Sequence, residues 1–340
     1  MATVIKRKKI LVTGGAGFIG SHTVVELFHA GYEPIILDNF SNSNSSVLGR
    51  IEQILGASVK AYETDCTDAH AVNAIFDQEE TIEGVIHFAA FKSVNESVEE
   101  PIKYYYNNLN SLNVLLAVMQ KFGVTDMVFS SSCTVYGNPD TLSVTEQAPI
   151  KNAESPYGHT KQLCEEILQR VKPIVSSVIL RYFNPVGAHP SGLIGELPLG
   201  TPNNLVPYIT QTAAGIREKL TIFGNDYNTS DGTCIRDFIH VVDLAKAHVA
   251  ALKLIEQTPK PFLDIFNLGT GTGCSVLELV NAFEAVSGVK LNHTFGPRRS
   301  GDVEGIYADC AKANNVLGWK AELDIQTAMK HAWQWQQNLK

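Results

Sequence analysis

The chain has 340 residues, of which 44% are hydrophobic and 18% charged, with a formal net charge of -8. The length exceeds what one hydrophobic core usually sustains and points to two units, and the ordinary composition excludes a disordered or fibrous chain. The acidic balance gives no general electrostatic ground for binding nucleic acid or an anionic membrane. In chain order, "KILVTG" (9–14) predicts a buried strand and 18–30 a helix. Residues 33–38 and 59–65 predict further strands, with a surface loop at 39–46 ("NFSNSNSS") and a helix at 68–78. "GVIHFAA" (84–90) predicts a fourth strand, and a helix opened by Pro101 runs to Phe122. A fifth strand falls at 126–132, a helix from Pro156 to about Val171, and a sixth strand at 176–183. Alternation of this kind, with strands this apolar, predicts a doubly wound parallel sheet covered on both faces.

Gly and Pro crowd residues 185–202, which reads as a boundary. Beyond it, helical periodicity returns at 204–218, 240–257, 275–287 and 324–337, with short strands near 219–223, 264–268 and 291–295. The expected organisation is therefore a first α/β unit at 1–184 and a smaller mixed α/β unit at 185–340, with the chain free to cross between them.

The cysteines (Cys66, Cys133, Cys164, Cys234, Cys274, Cys310) form no C-x-x-C pair, so zinc-finger spacing is absent. A basic tract, Lys6 to Lys9, precedes an apolar run too short and glycine-broken for a secretion signal. No stretch approaches the roughly 18 apolar residues of a membrane span. These features predict a reducing, cytoplasmic setting. His240 and His248 share a helical stretch but stand eight apart without an acidic partner at ligand spacing, so no metal site is expected.

"TGGAGFIG" contains Gly15-x-Gly17-x-x-Gly20 between the first strand and the first helix. Glycines there allow a tight turn and let backbone approach a pyrophosphate, which the helix N-terminus then attracts. This is the dinucleotide signature of a Rossmann-type sheet. Asp38 ends the second strand, where a carboxylate bonds a ribose 2′-OH and repels a 2′-phosphate, favouring NAD over NADP.

Tyr157 and Lys161 lie at i and i+4, on one helix face. A phenol with a pKa of about 10 is a poor base near neutrality, but a neighbouring ammonium favours the phenolate. Ser132 ends the fifth strand, at the edge where ligand crevices open, and can assist proton transfer.

Together these motifs resemble the extended short-chain dehydrogenase/reductase superfamily. "FSSSCTVYG" (129–137), "SPYGHTK" (155–161), "LRYFNPVGAHPSG" (180–192), "PNNLVPYI" (202–209), "IFGNDY" (222–227), "DGTCIRDFIHVVDLA" (231–245) and "RRSGD" (298–302) resemble its nucleotide-sugar 4-epimerases. The resemblance implies interconversion of UDP-galactose and UDP-glucose by oxidation at C4 with bound NAD, rotation of the 4-keto sugar and return of the hydride. It implies Tyr157 as base, Lys161 as the cation that lowers its pKa, and Ser132 as proton-transfer partner. Cofactor contact is implied for Gly14, Gly15, Gly17, Phe18, Ile19, Gly20, Asp38, Asn39, Asp65, Cys66, Phe88, Ala89, Ala90, Lys92, Asn107, Ser130 and Phe183, besides Tyr157 and Lys161. UDP-hexose contact is implied for Lys92, Ser132, Tyr157, Asn184, Asn204, Leu205, Phe223, Arg236, Arg299 and Asp302. Lys92 and Asn107 also read as solvated surface, and Phe88 and Phe183 as core.

A sugar-nucleotide dehydratase would carry an Asp-Glu pair directly after Ser132, where this chain has Cys133 and Thr134. UDP-glucuronate or UDP-N-acetylglucosamine 4-epimerases would use the same core, and a non-catalytic NAD-sensing protein would share the fold. Ile306 stands where the family's residue beside the sugar's C2 substituent falls, which predicts a preference for plain hexoses. The stripe Ile102, Tyr105, Leu109, Leu112, Leu116 and Met119 suits helix–helix packing, and family members dimerise through this helix and the one bearing Tyr157. A homodimer is expected.

Overall fold

In the computed structural model, residues 7–299 and 303–339 are described. The elements run β1 (Lys9–Thr13), α1 (Phe18–His29), β2 (Glu33–Asp38), α2 (Ser46–Leu55), β3 (Lys60–Glu63), α3 (Ala69–Glu79), β4 (Ile82–His87), α4 (Val94–Glu99), α5 (Pro101–Phe122) and β5 (Asp126–Ser132). They continue with a 3-10 turn (Cys133–Tyr136), β6 (Ser143–Val144), α6 (Pro156–Val171), β7 (Ser176–Tyr182), β8 (Asn184–Val186), α7 (Leu205–Ala213), β9 (Leu220–Phe223), β10 (Ile235–Arg236), β11 (Phe238–His240) and α8 (Val241–Gln257). The last are β12 (Leu263–Leu268), β13 (Cys274–Ser275), α9 (Val276–Ser287), β14 (His293–Gly296), β15 (Gly305–Ala308) and α10 (Ile325–Gln337).

The main sheet is parallel and seven-stranded, in the order β12-β7-β5-β4-β1-β2-β3. The chain winds outward in both directions from β1, so the order reverses between β1 and β4. In such sheets a ligand crevice opens beyond the strand ends at that reversal. Successive strand residues face opposite layers. Ile10 and Val12 pack with Val24, Leu27, Leu252 and Phe266 on one side, while Leu11 packs with Val85, Leu112, Met127 and Ile179 on the other. Both faces are therefore dry, as the apolar strands predicted.

A smaller body gathers α7, α9 and α10 around Ile209, Leu279, Phe283 and Met329. A four-stranded sheet, β13-β10-β15-β6, and two strand pairs, β11-β8 and β14-β9, lie with it. β12 and α8, from beyond residue 184, belong to the large sheet's layers, whereas β6 joins the small sheet. The chain thus crosses between the two layers more than once.

Several expected bounds shift. β4 starts at Ile82 and ends at His87, leaving Phe88, Ala89 and Ala90 in the loop beyond it. α7 ends at Ala213, not 218, because the backbone turns left-handed at Gly215, φ +75°. α2 had a readable signal, since Val47, Leu48, Ile51, Ile54 and Leu55 follow helical spacing. α4 and the strands of two or three residues, β6, β8, β10, β11 and β13, are too short to carry a period.

On α5 the predicted stripe is divided. Leu112 and Met119 are fully buried and Leu116 nearly so, all three packed inside this chain, so the C-terminal half of the predicted stripe is core. Exposed apolar side chains lie further toward the N-terminus: Ile102 is 78% and Tyr106 66% exposed on α5, and Val98, near the end of α4, 61%.

Candidate active site

The glycine turn closes tightly. Gly17 N–H donates to Gly14 O at 3.0 Å, and Gly14 N–H to Leu37 O at 2.7 Å. A Cβ on Gly20 would sit 2.2 Å from Gly14 O, and one on Gly14 would sit 2.9 Å from Ala89 N. Only glycine lets α1 and the loop after β4 approach this turn. Gly17 is the N-cap of α1, and no side chain caps that helix. The first N–H groups, at Phe18 and Ile19, and the positive end of the helix dipole suit a diphosphate.

Asp38 lies beside this turn, 8% exposed. Its Oδ2 accepts from Ala16 N–H, and its Oδ1 from Phe40 N–H and Ser43 Oγ, each at 2.9 Å. Phe40 takes φ +54°, a left-handed conformation unusual for a side chain of that bulk. Asn39 donates to Asp65 Oδ2 at 3.0 Å, tying the loop after β2 to the loop after β3. The glycine cradle, the uncapped helix and the strand-end carboxylate together fit a dinucleotide. Around them, the Phe88 ring lies 4.6 Å from that of His248, and Cys66 is buried with its thiol pushed up to about 12 by burial. Asn107 donates to Asn108 Oδ1 at 3.0 Å, and Asn108 in turn bonds Phe91 N–H and Thr160.

Ser132, Tyr157 and Lys161 come together across β5 and α6, and all are buried. Ser155 caps α6 by accepting from Gly158 N–H at 3.1 Å, and Pro156 starts the helix, so the tyrosine enters at a fixed angle. Lys161 Nζ donates to Ser130 O at 2.7 Å, and it lies 6.0 Å from the Tyr157 ring centroid. Ser132 Oγ accepts from Thr134 N–H at 3.2 Å and from Thr134 Oγ1 at 3.0 Å. Ser130 Oγ bonds the Tyr182 hydroxyl. Thr134 and Tyr182 stand inside quoted motifs, yet their role is visible only once the strands are aligned.

The electrostatics depart from the simple expectation. Burial drives the Tyr157 phenol far above its ordinary range; the nearby Tyr182 adds to this, and a hydrogen bond to Ser132 opposes it. Burial lowers Lys161 to about 8, against raising effects from Cys164 and Glu165.

Among the residues expected for the nucleotide sugar, Asn184, Asn204, Leu205, Phe223 and Arg236 come from β8, the start of α7, β9 and β10. Asn184 is on β8 in register with Phe238. Asn204 is the N-cap of α7, directly before Leu205, but its side chain donates to Glu196 Oε1 at 2.5 Å. Lys92 Nζ reaches the same oxygen at 3.3 Å, so Glu196, which sequence reasoning missed, links the segment after β4 to the start of α7. Arg236 Nη1 donates to Ile235 O and Val303 O, at 2.8 and 3.0 Å. Its charge is felt at Cys133, although burial dominates there and pushes the thiol up to about 11. The Arg299 guanidinium lies 4.7 Å from the centroid of the Phe223 ring. Phe183 is 4% exposed and packs with Val135, Tyr136, Val144, Ile306 and Ala308, so its visible role is core. Asp302 lies outside the described residues, and among those described no cluster of three metal-ligating side chains occurs.

A dinucleotide cradle facing a buried serine–tyrosine–lysine set defines an NAD-dependent short-chain dehydrogenase-type site. Residues 10–269 match the NAD dependent epimerase/dehydratase family. The chain is 52% identical over 331 residues to UDP-glucose 4-epimerase of Bacillus subtilis, covering 96% of each chain. It is 50% identical over 339 residues to UDP-glucose 4-epimerase of Drosophila melanogaster, again covering 96% of each. The crystal structure of UDP-glucose 4-epimerase from Bifidobacterium longum, in complex with NAD+ and UDP, superposes with a TM-score of 0.93 at 48% identity, covering 97% of this chain and 98% of that one. The chain belongs to the NAD-dependent epimerase/dehydratase family, among its UDP-glucose 4-epimerases.

Proposed function

We propose that the protein interconverts UDP-galactose and UDP-glucose by reversible oxidation at C4, with NAD retained through the cycle. The observation that carries this reading is the buried set of Ser132, Tyr157 and Lys161 at the end of β5, followed by Cys133 and Thr134. Those two side chains cannot supply the additional acid and base that water elimination would need.

Bound NAD+ would accept the hydrogen of C4 as hydride, return it to the other face, and place a positive charge near Tyr157. The chain's own residues do the rest. Tyr157 takes the proton from the sugar 4-OH, and Ser132 bonds that oxygen. Lys161, fixed by Ser130, supplies the local positive charge that favours the phenolate. Gly14, Gly15, Gly17 and Gly20 with the start of α1 would hold the diphosphate of the cofactor, and Asp38 its ribose. Arg236 and Arg299 suit the UDP pyrophosphate, because guanidinium groups donate in a fork that matches phosphate oxygens. Asn184, Asn204, Leu205 and Phe223 complete that set, with Asp302 as the resemblance places it. The large-sheet layer is the NAD unit and the smaller body the UDP-sugar unit.

Ile306, which the resemblance places beside the hexose C2 substituent, is 6% exposed among Val135, Tyr136 and Phe183, and a bulky, closely packed side chain there supports a preference for plain hexoses. The exposed Val98, Ile102 and Tyr106 face supports a homodimer formed through α5 and α6. The net charge of -8 argues against nucleic acid as a partner. Among the described residues no helix is long and apolar enough to cross a membrane. The cytoplasm is the compartment that scattered free thiols suit.

The experiment is to incubate the purified protein with UDP-galactose, separate the products and record the NADH absorbance. UDP-glucose approaching an equilibrium mixture without free NADH accumulating is the expected result. Steady accumulation of NADH would mean a net dehydrogenase and defeat the reading.

A further inference from the structure

Beneath the catalytic side chains lies an ion pair that the reaction scheme leaves unused. Glu165 on α6 is 4% exposed and Arg181 on β7 is 3% exposed. Arg181 Nη2 donates to Glu165 Oε2 at 2.6 Å, and its Nε contacts Oε1 at 3.0 Å and Oε2 at 3.2 Å. Ser131 Oγ donates to Glu165 Oε1 at 2.5 Å. Arg181 Nη1 donates to the Tyr136 hydroxyl at 3.0 Å, which donates to Asn267 Oδ1 on β12 at 2.7 Å.

Each member adjoins a residue of the proposed mechanism. Ser131 stands between Ser130, whose carbonyl holds Lys161, and Ser132. Glu165 is one turn beyond Lys161, which is one turn beyond Tyr157. Arg181 is opposite Ser131 in the sheet and precedes Tyr182, which bonds Ser130. Tyr136 closes the 3-10 turn that begins immediately after Ser132. A buried ion pair is a poor source of stability, since well-packed apolar residues of similar volume do as well or better. Its distinctive property is geometry: a bidentate fork fixes two elements in both distance and orientation.

We infer that Glu165 and Arg181, with Ser131 and Tyr136, form a positioning network that sets the strand end bearing Ser130 and Ser132 against the helix face bearing Tyr157 and Lys161. The inference rests on the epimerase reading above. None of these residues touches the reacting atoms; they act through the ones that do. Glu165 also has an electrostatic effect. It opposes the burial that lowers Lys161, alongside Cys164. The other ionisable groups set against Lys161 are His87 from β4 and Tyr157 on its own helix. Removing the Glu165 charge should let Lys161 lose its proton at lower pH.

The test uses the full chain loaded with NAD and three variants: Glu165→Gln, the charge-neutral double Glu165→Leu/Arg181→Met, and Ser131→Ala. Activity of the wild type toward UDP-galactose is measured first, so failure of the epimerase reading shows there and not in the variants. In Glu165→Gln we expect kcat to fall about 10- to 100-fold with KM within about twofold, the pattern of an interaction expressed in the transition state. A nitrogen NMR titration of the Lys161 ammonium, with and without NAD, should move to lower pH by about half a unit or more. The double variant should melt within a few degrees of wild type yet remain slow. Wild-type kcat with an unmoved Lys161 titration in both charge variants overturns the inference and makes the pair a structural staple. If the charge variants do not fold, Ser131→Ala decides, because it leaves the ion pair intact. A kcat loss of several-fold at constant KM supports the inference, and wild-type kcat overturns it.

Discussion

The Lys161 ammonium donates to the Ser130 carbonyl oxygen at 2.7 Å, one residue before Ser131 and two before Ser132 on the same strand end. The lysine is thus fastened to the strand and lies beside the tyrosine ring instead of pairing with its hydroxyl, 6.0 Å from the ring centroid. In the proposed mechanism it acts on the phenol as a local field, and the chemistry then depends on the charge state of one buried ammonium.

Tyr157→Phe removes the proton acceptor and little else, since the ring is retained. Turnover of UDP-galactose should fall by about 10²- to 10⁴-fold, the range for loss of a general base. Calorimetry should show UDP affinity within about twofold of wild type, because the residues proposed to hold UDP act independently of this hydroxyl. Wild-type turnover in the variant would remove Tyr157 from the mechanism.

The pH dependence follows from Lys161. Burial holds its proton affinity down, near a pKa of about 8, so the ammonium is lost as pH rises through that value. If the charged form is required, kcat should decline on the alkaline side from about pH 8 upward. In Lys161→Arg the guanidinium stays charged across the whole range. Residual activity in that variant should therefore lack the alkaline decline. A decline unchanged in Lys161→Arg would assign it to another group.

Acid should weaken the fold. Burial keeps His22, His87, His240 and His248 neutral, lowering them to about 3, 3, 3 and 4. Their folded values lie below the unfolded 6.5, so the unfolded chain binds more protons as pH falls from about 6.5 towards 4. Stability is full above the unfolded value and is lost across that window. At pH 5.5 each such histidine costs roughly 1 kcal/mol relative to neutral pH. The urea midpoint should therefore fall steadily between pH 7 and 5.5, and a flat profile would show that these rings protonate in the native state.

Gly20→Ala places a methyl group 2.2 Å from Gly14 O and 2.8 Å from Gly15 Cα. Both contacts are backbone atoms in a closed turn, so α1 has to move. A loss of about 1–3 kcal/mol is expected from such overpacking, together with weaker NAD retention during gel filtration. Gly31→Ala is the contrasting control for space alone, since nothing lies within 4 Å of the added Cβ, although its φ of +91° adds strain.

Ile102→Glu puts a charge at the centre of the exposed face formed with Val98 and Tyr106. Sedimentation should show a dimer for the wild type and a monomer for the variant, at unchanged helical content. A monomeric wild type would defeat the dimer reading at once.

The sequence by itself determined the parts whose physics is local. Strands such as Lys9–Thr13 and Ser176–Tyr182 are legible because residues buried on both faces must be apolar in unbroken runs. The glycine turn is legible because tight approach excludes any Cβ, and the Tyr157–Lys161 pair because helical spacing fixes their common face. The tertiary structure decided whatever depends on residues distant in the chain. It brought Leu263–Leu268 to the edge of the large sheet beside Ser176–Tyr182, and drew Leu112, Leu116 and Met119 inward while leaving Ile102 in solvent. It set Glu196 between Lys92 and Asn204, and Glu165 between Ser131 and Arg181. It also decided the burial of Tyr157, which pushes the phenol up, because burial is a property of everything packed around a side chain and no four-residue spacing reports it.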